Sequence, residues 1–289
     1  MNLFIVDVFA EQKYAGNQLA VVIDAERMAT ETMQAIAAEM NFSETTFVTP
    51  VPDSDGGFGV RLFTPARELA FAGHPILGTA WVVREKLLDG RPPAIRLNLP
   101  VGQVPVTFEE SEGQGLAWFR APAMQLGRVC DATTMAAALG ISPHEIIATV
   151  QEVSAGTSAM IVPLRSLAAL QSAQLDLVAY RPLLAARFSP LVYLWCRETR
   201  DPRNQLSARF FFEAHGVRED PATGNGAAFL GAYLINYQTL GPPPLSLRIE
   251  QGHEVRRPSI VMLRAGTEGD NSAVLVGGGV VPVLEGRLA

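Results

Sequence analysis

Three acid/base side chains stand beside stretches suited to hold an anion. Glu44 lies in Asn41-Phe42-Ser43-Glu44-Thr45, His74 in Phe71-Ala72-Gly73-His74-Pro75, and Asp220 in Glu219-Asp220-Pro221-Ala222-Thr223-Gly224-Asn225-Gly226. The last two stretches each lead from a strand-like segment through a Gly-rich turn into an apolar helical run, one in each half of the chain. A helix start presents unpaired N–H groups and a partial positive charge, which suits a carboxylate or an enolate-like oxygen. Moving a hydrogen between carbons requires a base to take it, an acid to return it and donors that hold the anion in between. A carboxylate sheltered from water is a usable shuttle, because loss of hydration disfavours its charged form. The expected site is a cleft between the halves, with both helix starts facing it.

The elements that must position these groups follow from pattern. Leu3 to Phe9 and Asn17 to Ile23 read as strands, Met28 to Met40 as a helix ending before Asn41, and Thr45 to Val48 and Phe58 to Phe63 as strands joined through the turn at residues 53–57. From Pro75 to Leu88 the chain is apolar on nearly every side, which marks a central helix. Ile95 to Leu99, Val104 to Phe108 and Leu116 to Phe119 continue as strands. The second half repeats this order. Gly156 to Val162 parallels Gly16 to Val22, a helical stretch spans Ala168 to Ala186 with Pro182 expected to break it, and strands follow at Leu191 to Cys196 and Ser207 to Glu213. The second Gly-turn opens an apolar helix from Gly226 to Asn236, before strands at Leu245 to Glu250, Ser259 to Leu263 and Ala273 to Val276. Two similar α+β units are expected, each a curved sheet wrapping one helix.

Composition narrows the function classes. With 289 residues, 48% of them hydrophobic, the chain can bury one large core or two modest ones, and two domains are expected. A net charge of −6 argues against nucleic acid or an anionic membrane as partner, since neutralising phosphates needs clustered Lys and Arg. Lys13 and Lys86 are the only lysines, which thins the case for Schiff-base or pyridoxal chemistry. Cys130 and Cys196 lack CxxC or His-rich company and read as buried small hydrophobes. With no HxH or HExxH pattern, no metal is expected. Gly224-Asn225-Gly226 lacks the remaining marks of a dinucleotide fingerprint or a P-loop, so no nucleotide is expected either. Met1 runs straight into a strand pattern without a signal-peptide region, and a soluble cytoplasmic protein is expected.

The set Asp7-Val8-Phe9 with Gly16-Asn17-Gln18, Asn41 to Thr45, Phe63-Thr64-Pro65 with Gly73-His74-Pro75, Glu219 to Gly224, and Gln251-Gly252 with Arg257-Pro258-Ser259 resembles the phenazine-biosynthesis PhzF-like family of isomerases, over essentially the whole chain. The resemblance implies the diaminopimelate epimerase-like fold, with two pseudo-symmetric domains and commonly a homodimer. On that basis the first domain is placed at residues 1–116, with the strand at 280–289 able to return to it, and the second at 117–279. Members of known activity isomerise a dihydro-hydroxyanthranilate by moving a proton along a conjugated system, without cofactor. Glu44 matches the family's acid/base glutamate, His74 its histidine at the first helix start and Asp220 its aspartate beside the second Gly-turn. The backbone amides at Gly73, Gly224 and Asn225 would hold the substrate carboxylate, with Asn17, Ser43 and Gly226 completing the binding set. The sequence departs from the pattern at Asn225, where a serine is common, and at Arg256, where a glycine is frequent.

Each residue also has a plainer role. Glu44 alone reads as a solvated carboxylate, His74 as a helix cap, Asp220 as a turn residue, Asn17 as a turn residue lining the cleft and Gln251-Gly252 as a hairpin turn. His144 reads as the exposed first turn of a helix, and His215 and His253 as loop residues without a site. Racemising relatives carry two cysteines where this chain has Ala72 and Thr223, so two-thiol epimerisation is disfavoured. Hydroxyproline dehydratase relatives keep one thiol beside a threonine, which Thr223 fits and Ala72 does not. The reading is a cofactor-independent isomerase acting on a small cyclic or aromatic-like carboxylic acid, with Glu44 as proton shuttle. The alternatives are a non-catalytic carboxylate-binding protein of the same fold, or an epimerase or dehydratase relative.

Overall fold

The computed structural model describes residues 1–111, 114–213, 217–267 and 269–288. The chain divides into two compact units, Met1–Arg120 with Gly277–Ala289, and Ala121–Val276. His215 lies outside the described residues.

The first unit runs β1 (Asn2–Val8), β2 (Asn17–Ile23), α1 (Thr30–Met40), β3 (Glu44–Val48), β4 (Phe58–Phe63), the two-residue β5 (Glu68–Leu69), α2 (Gly73–Val82), β6 (Ala94–Leu99), β7 (Gly102–Ser111) and β8 (Gln114–Arg120). β1 and β2 are antiparallel, β2 and β3 parallel, β3 and β4 antiparallel, β4 and β6 parallel, and β6, β7 and β8 antiparallel in turn. The hairpin between β1 and β2 ends at Gly16, whose φ of +68° and close approach to the Val8 carbonyl exclude any side chain. The sheet wraps α2, which is buried without interruption from Gly73 to Ala80. Gly78 permits this closeness, because a methyl group there would sit 2.6 Å from Leu19 Cδ2 and 2.7 Å from Val8 Cγ2. α1 covers the outer surface, packing Met33 and Ala37 on Leu3, Ala20, Val22, Phe47 and Phe63. It stops at Asn41, which takes the left-handed conformation at φ 54°.

The second unit opens on β9 (Gln125–Cys130) and α3 (Ala132–Leu139) and then repeats the first: β10 (Val150–Ala155), β11 (Thr157–Pro163), α4 (Leu167–Ser172), α5 (Leu177–Ala185), β12 (Val192–Cys196), β13 (Leu206–Glu213), β14 (Val217–Asp220), α6 (Gly224–Tyr237), β15 (Leu245–Gln251) and β16 (Ser259–Thr267). β10 and β11 are antiparallel, β11 and β12 parallel, β12 and β13 antiparallel, β13 and β15 parallel, and β15 and β16 antiparallel. That is the order of β1, β2, β3, β4, β6 and β7, with the same helix positions between strands. Here α6 is the central helix, and Gly231 brings it close to Leu263 and Val274. The last strand, β17 (Asp270–Arg287), passes from the second unit's residues into the first's, where it pairs with β1.

Two expectations need correction. Pro182 does not break a helix; it lies inside α5, and the interruption falls earlier, at 173–176. The stronger signal is Asp176, whose carboxylate accepts hydrogen bonds from the N–H groups of Val178 and Ala179 and so starts a new helix. The closing strand runs through the glycines after Val276 instead of stopping, because Gly277 lies against the Trp118 ring where a side chain would collide. No helix among the described residues is long and apolar enough to cross a membrane.

Candidate active site

A helix start normally takes its orphan N–H groups to a side chain or to water. Among the peripheral helices Asp131 caps α3, Ser166 caps α4 and Asp176 caps α5, while α1 starts uncapped after Ala29 with its first turn exposed to water. The two central helices differ. Neither Ala72 before α2 nor Thr223 before α6 supplies a side-chain cap, although Gly73, His74, Gly224 and Gly226 are buried. Both starts therefore leave their first-turn amides without a side-chain cap.

In the first unit the strand register carries Glu44 to the start of α2. β2 and β3 pair with Leu19 opposite Glu44, so Asn17, Leu19, Glu44 and Thr46 share one face by alternation. That face meets α2: Leu19 packs at Gly78, and the hydroxyls of Thr46 and Thr79 are 2.8 Å apart. Glu44 Oε2 consequently sits 3.4 Å from His74 Nε2, with side-chain exposures of 15% and 6%. Burial pushes His74 down to about 3, opposed by a hydrogen bond to the backbone of Gln18, so the imidazole is neutral across the physiological range. The pair is thus no locked imidazolium–carboxylate bridge. Asn17 is buried at the first position of β2, opposite Val8, and Ser43 directly precedes β3.

In the second unit Asp220 ends β14, and Gly224, Asn225 and Gly226 form the first turn of α6. The join is laced by hydrogen bonds. The Thr223 hydroxyl donates to Asp220 Oδ2 at 2.6 Å and accepts from Gln251 Nε2 at 3.1 Å. The Gln251 amide also donates to the Asp220 carbonyl at 2.9 Å and accepts from the Thr223 N–H at 3.3 Å. Every donor in this chain has one direction, which holds Asp220 Oδ2 as an acceptor. Gln251, read from sequence only as a hairpin residue, is 1% exposed and clamps the turn. Its position at the end of a strand, before a glycine, is the signal that was available. Gly252 (φ 80°) is pressed against the Pro221 and Arg257 carbonyls, where a side chain would collide. Arg256 occupies the left-handed region at φ 59°, a conformation that favours glycine.

Cys130 and Cys196 are buried free thiols, pushed by burial up to about 11 and about 12. His144 lies in the short helical turn Pro143–Glu145 and is exposed, while burial lowers His253 in its turn.

The family model for phenazine biosynthesis-like proteins, PhzC-PhzF, matches residues 6–286. This chain belongs to the PhzC-PhzF family. Among curated relatives, an uncharacterized isomerase of Mesorhizobium japonicum is 34% identical over 99% of this chain and 98% of its own. The trans-2,3-dihydro-3-hydroxyanthranilate isomerase of Pseudomonas aeruginosa is 33% identical over 98% of this chain and 97% of its own. The crystal structure of the PhzF-family phenazine biosynthesis protein of Bacillus anthracis superposes with a TM-score of 0.89 at 25% identity, covering 100% of this chain and 99% of that one. The chain therefore has the diaminopimelate epimerase-like fold and is an isomerase.

Proposed function

We propose that this PhzF-family isomerase moves a proton between two carbons of a small cyclic or aromatic-like carboxylic acid, without a cofactor, and that Glu44 carries the proton. The observation that supports this most is the Glu44–His74 pair at 3.4 Å, nearly buried beside an uncapped helix start. The Glu44 carboxylate takes a proton from a substrate C–H, leaving an anion spread over the conjugated system, and the resulting carboxylic acid returns it to a different carbon. A protonated His74 would hold Glu44 permanently as a carboxylate; the neutral imidazole leaves it able to alternate between acid and base. Amide donors of Gly73, Gly224, Asn225 and Gly226 bind the substrate carboxylate or the developing oxyanion, with Asn17 and Ser43 as further contacts. Asp220, held by Thr223 and Gln251, is the polar contact offered at the start of α6.

The acid named for the Pseudomonas aeruginosa relative is the first compound to test. Incubated with trans-2,3-dihydro-3-hydroxyanthranilate in D2O, the protein is expected to convert it with deuterium entering one ring carbon, seen by proton NMR. Absence of conversion and of exchange, with this acid and with a panel of cyclic carboxylic acids, would end the proposal.

A further inference from the structure

The second helix start is flanked by a residue that none of the motifs includes. β12 and β13 pair with Tyr193 opposite Phe210, and β13 and β14 pair with Phe210 opposite Asp220. Directly opposed residues project on the same face, so Tyr193, Phe210 and Asp220 form one row across three strands. The Tyr193 and Phe210 ring centroids are 6.2 Å apart. The row faces the first turn of α6: a methyl group at Gly226 would lie 2.7 Å from Tyr193 Cε2, one bond from the carbon that bears the hydroxyl. Gly226 is thus the space into which the tyrosine ring fits.

Tyr193 is fully buried, and its hydroxyl has no hydrogen-bond partner among the described residues. The other tyrosines of this unit differ. Tyr180 donates to the Ser189 carbonyl at 2.6 Å, Tyr233 to the Thr149 carbonyl at 2.8 Å and Tyr237 to Gln151 Oε1 at 2.7 Å. A buried hydroxyl left unpaired is a net cost to folding, and a phenylalanine would fill the same space without it. The orphan donor belongs to a ring that lies against the first turn of α6, on the same strand face as Asp220 with Phe210 between them.

We propose that the Tyr193 phenol is a substrate-contacting donor, giving its hydrogen bond to a carboxylate or enolate oxygen of an anionic ligand seated at the start of α6. Burial, with the nearby Asp220 charge, raises the phenol well above its ordinary range, so it keeps its proton and serves as donor, not as base. The donor also offsets the repulsion that an anionic oxygen would meet from Asp220. The assignment rests on the carboxylic-acid substrate class proposed above.

Tyr193→Phe tests it in the full-length protein with anthranilate as the probe. Without ligand, the variant is expected to melt at the wild-type temperature or above it, since no protein hydrogen bond is lost. Anthranilate should bind it about 10- to 100-fold more weakly by calorimetry. A variant that melts lower without ligand would show that the hydroxyl has a structural partner and would overturn the assignment. Equal anthranilate binding by the two proteins overturns Tyr193 alone and leaves the isomerase reading standing. A wild type that ignores anthranilate removes the substrate class and this assignment together.

Discussion

The starts of α2 and α6 are the same device furnished in two ways. Each is a buried, uncapped helix end reached from a strand, at the same place in a repeated strand order. At α2 the companions are a carboxylate and a neutral imidazole in loose contact at 3.4 Å. At α6 they are a carboxylate, a hydroxyl and an amide joined by four hydrogen bonds of fixed direction. Loose contact lets a proton change hands, whereas a network with every donor assigned fixes a charge and its orientation. One start thus carries a loosely held acid/base pair and the other a laced carboxylate.

The sharpest way to break this contrast is to remove the fixed charge. Asp220→Asn is expected to lower kcat/KM on the order of 10²-fold while the protein stays folded; unchanged kinetics would show that the second end does not act on the substrate. Gln251→Leu leaves the Thr223 N–H and the Asp220 carbonyl without their side-chain partner and should cost about 1–3 kcal/mol in urea unfolding. An unchanged midpoint would mean that the lacing adds nothing. At the other end of the contrast, His74 gives a test that depends on pH. Its folded value of about 3 lies below the ordinary 6.5, so the unfolded chain binds a proton that the folded one refuses. The stability from this group is therefore complete above pH 6.5 and declines toward pH 3, by at most about 1.4 kcal/mol per pH unit. His74→Gln should flatten that part of the stability curve, and an unaltered slope would show that the imidazole is not held neutral.

Much of this was legible in the residues for a physical reason. β2 and β4 were read with their full bounds because β-branched and aromatic residues sit between clear turn signals. α2 stood out as apolar on nearly every side and α6 as an apolar run, and the structure extends both back to Gly73 and Gly224. β9 and β10 carry no period strong enough to read and are fixed by pairing that lies outside any local window, whereas α3 has local signals of its own in the Asp131 cap and the left-handed Gly140. In the candidate site the acid/base residues announced themselves by type. Gln251 and Tyr193 did not, since their roles depend on hydrogen-bond direction and on cross-strand register, which only the folded chain displays.

The claim that Glu44 carries the proton is tested most directly by Glu44→Gln with trans-2,3-dihydro-3-hydroxyanthranilate in D2O, followed by proton NMR. The amide matches the carboxylate in shape and cannot take up a proton, so exchange and isomerisation should fall by about 10³-fold or more, with anthranilate binding retained. Exchange at the wild-type rate would contradict the account, because the proton would then be moving through another group.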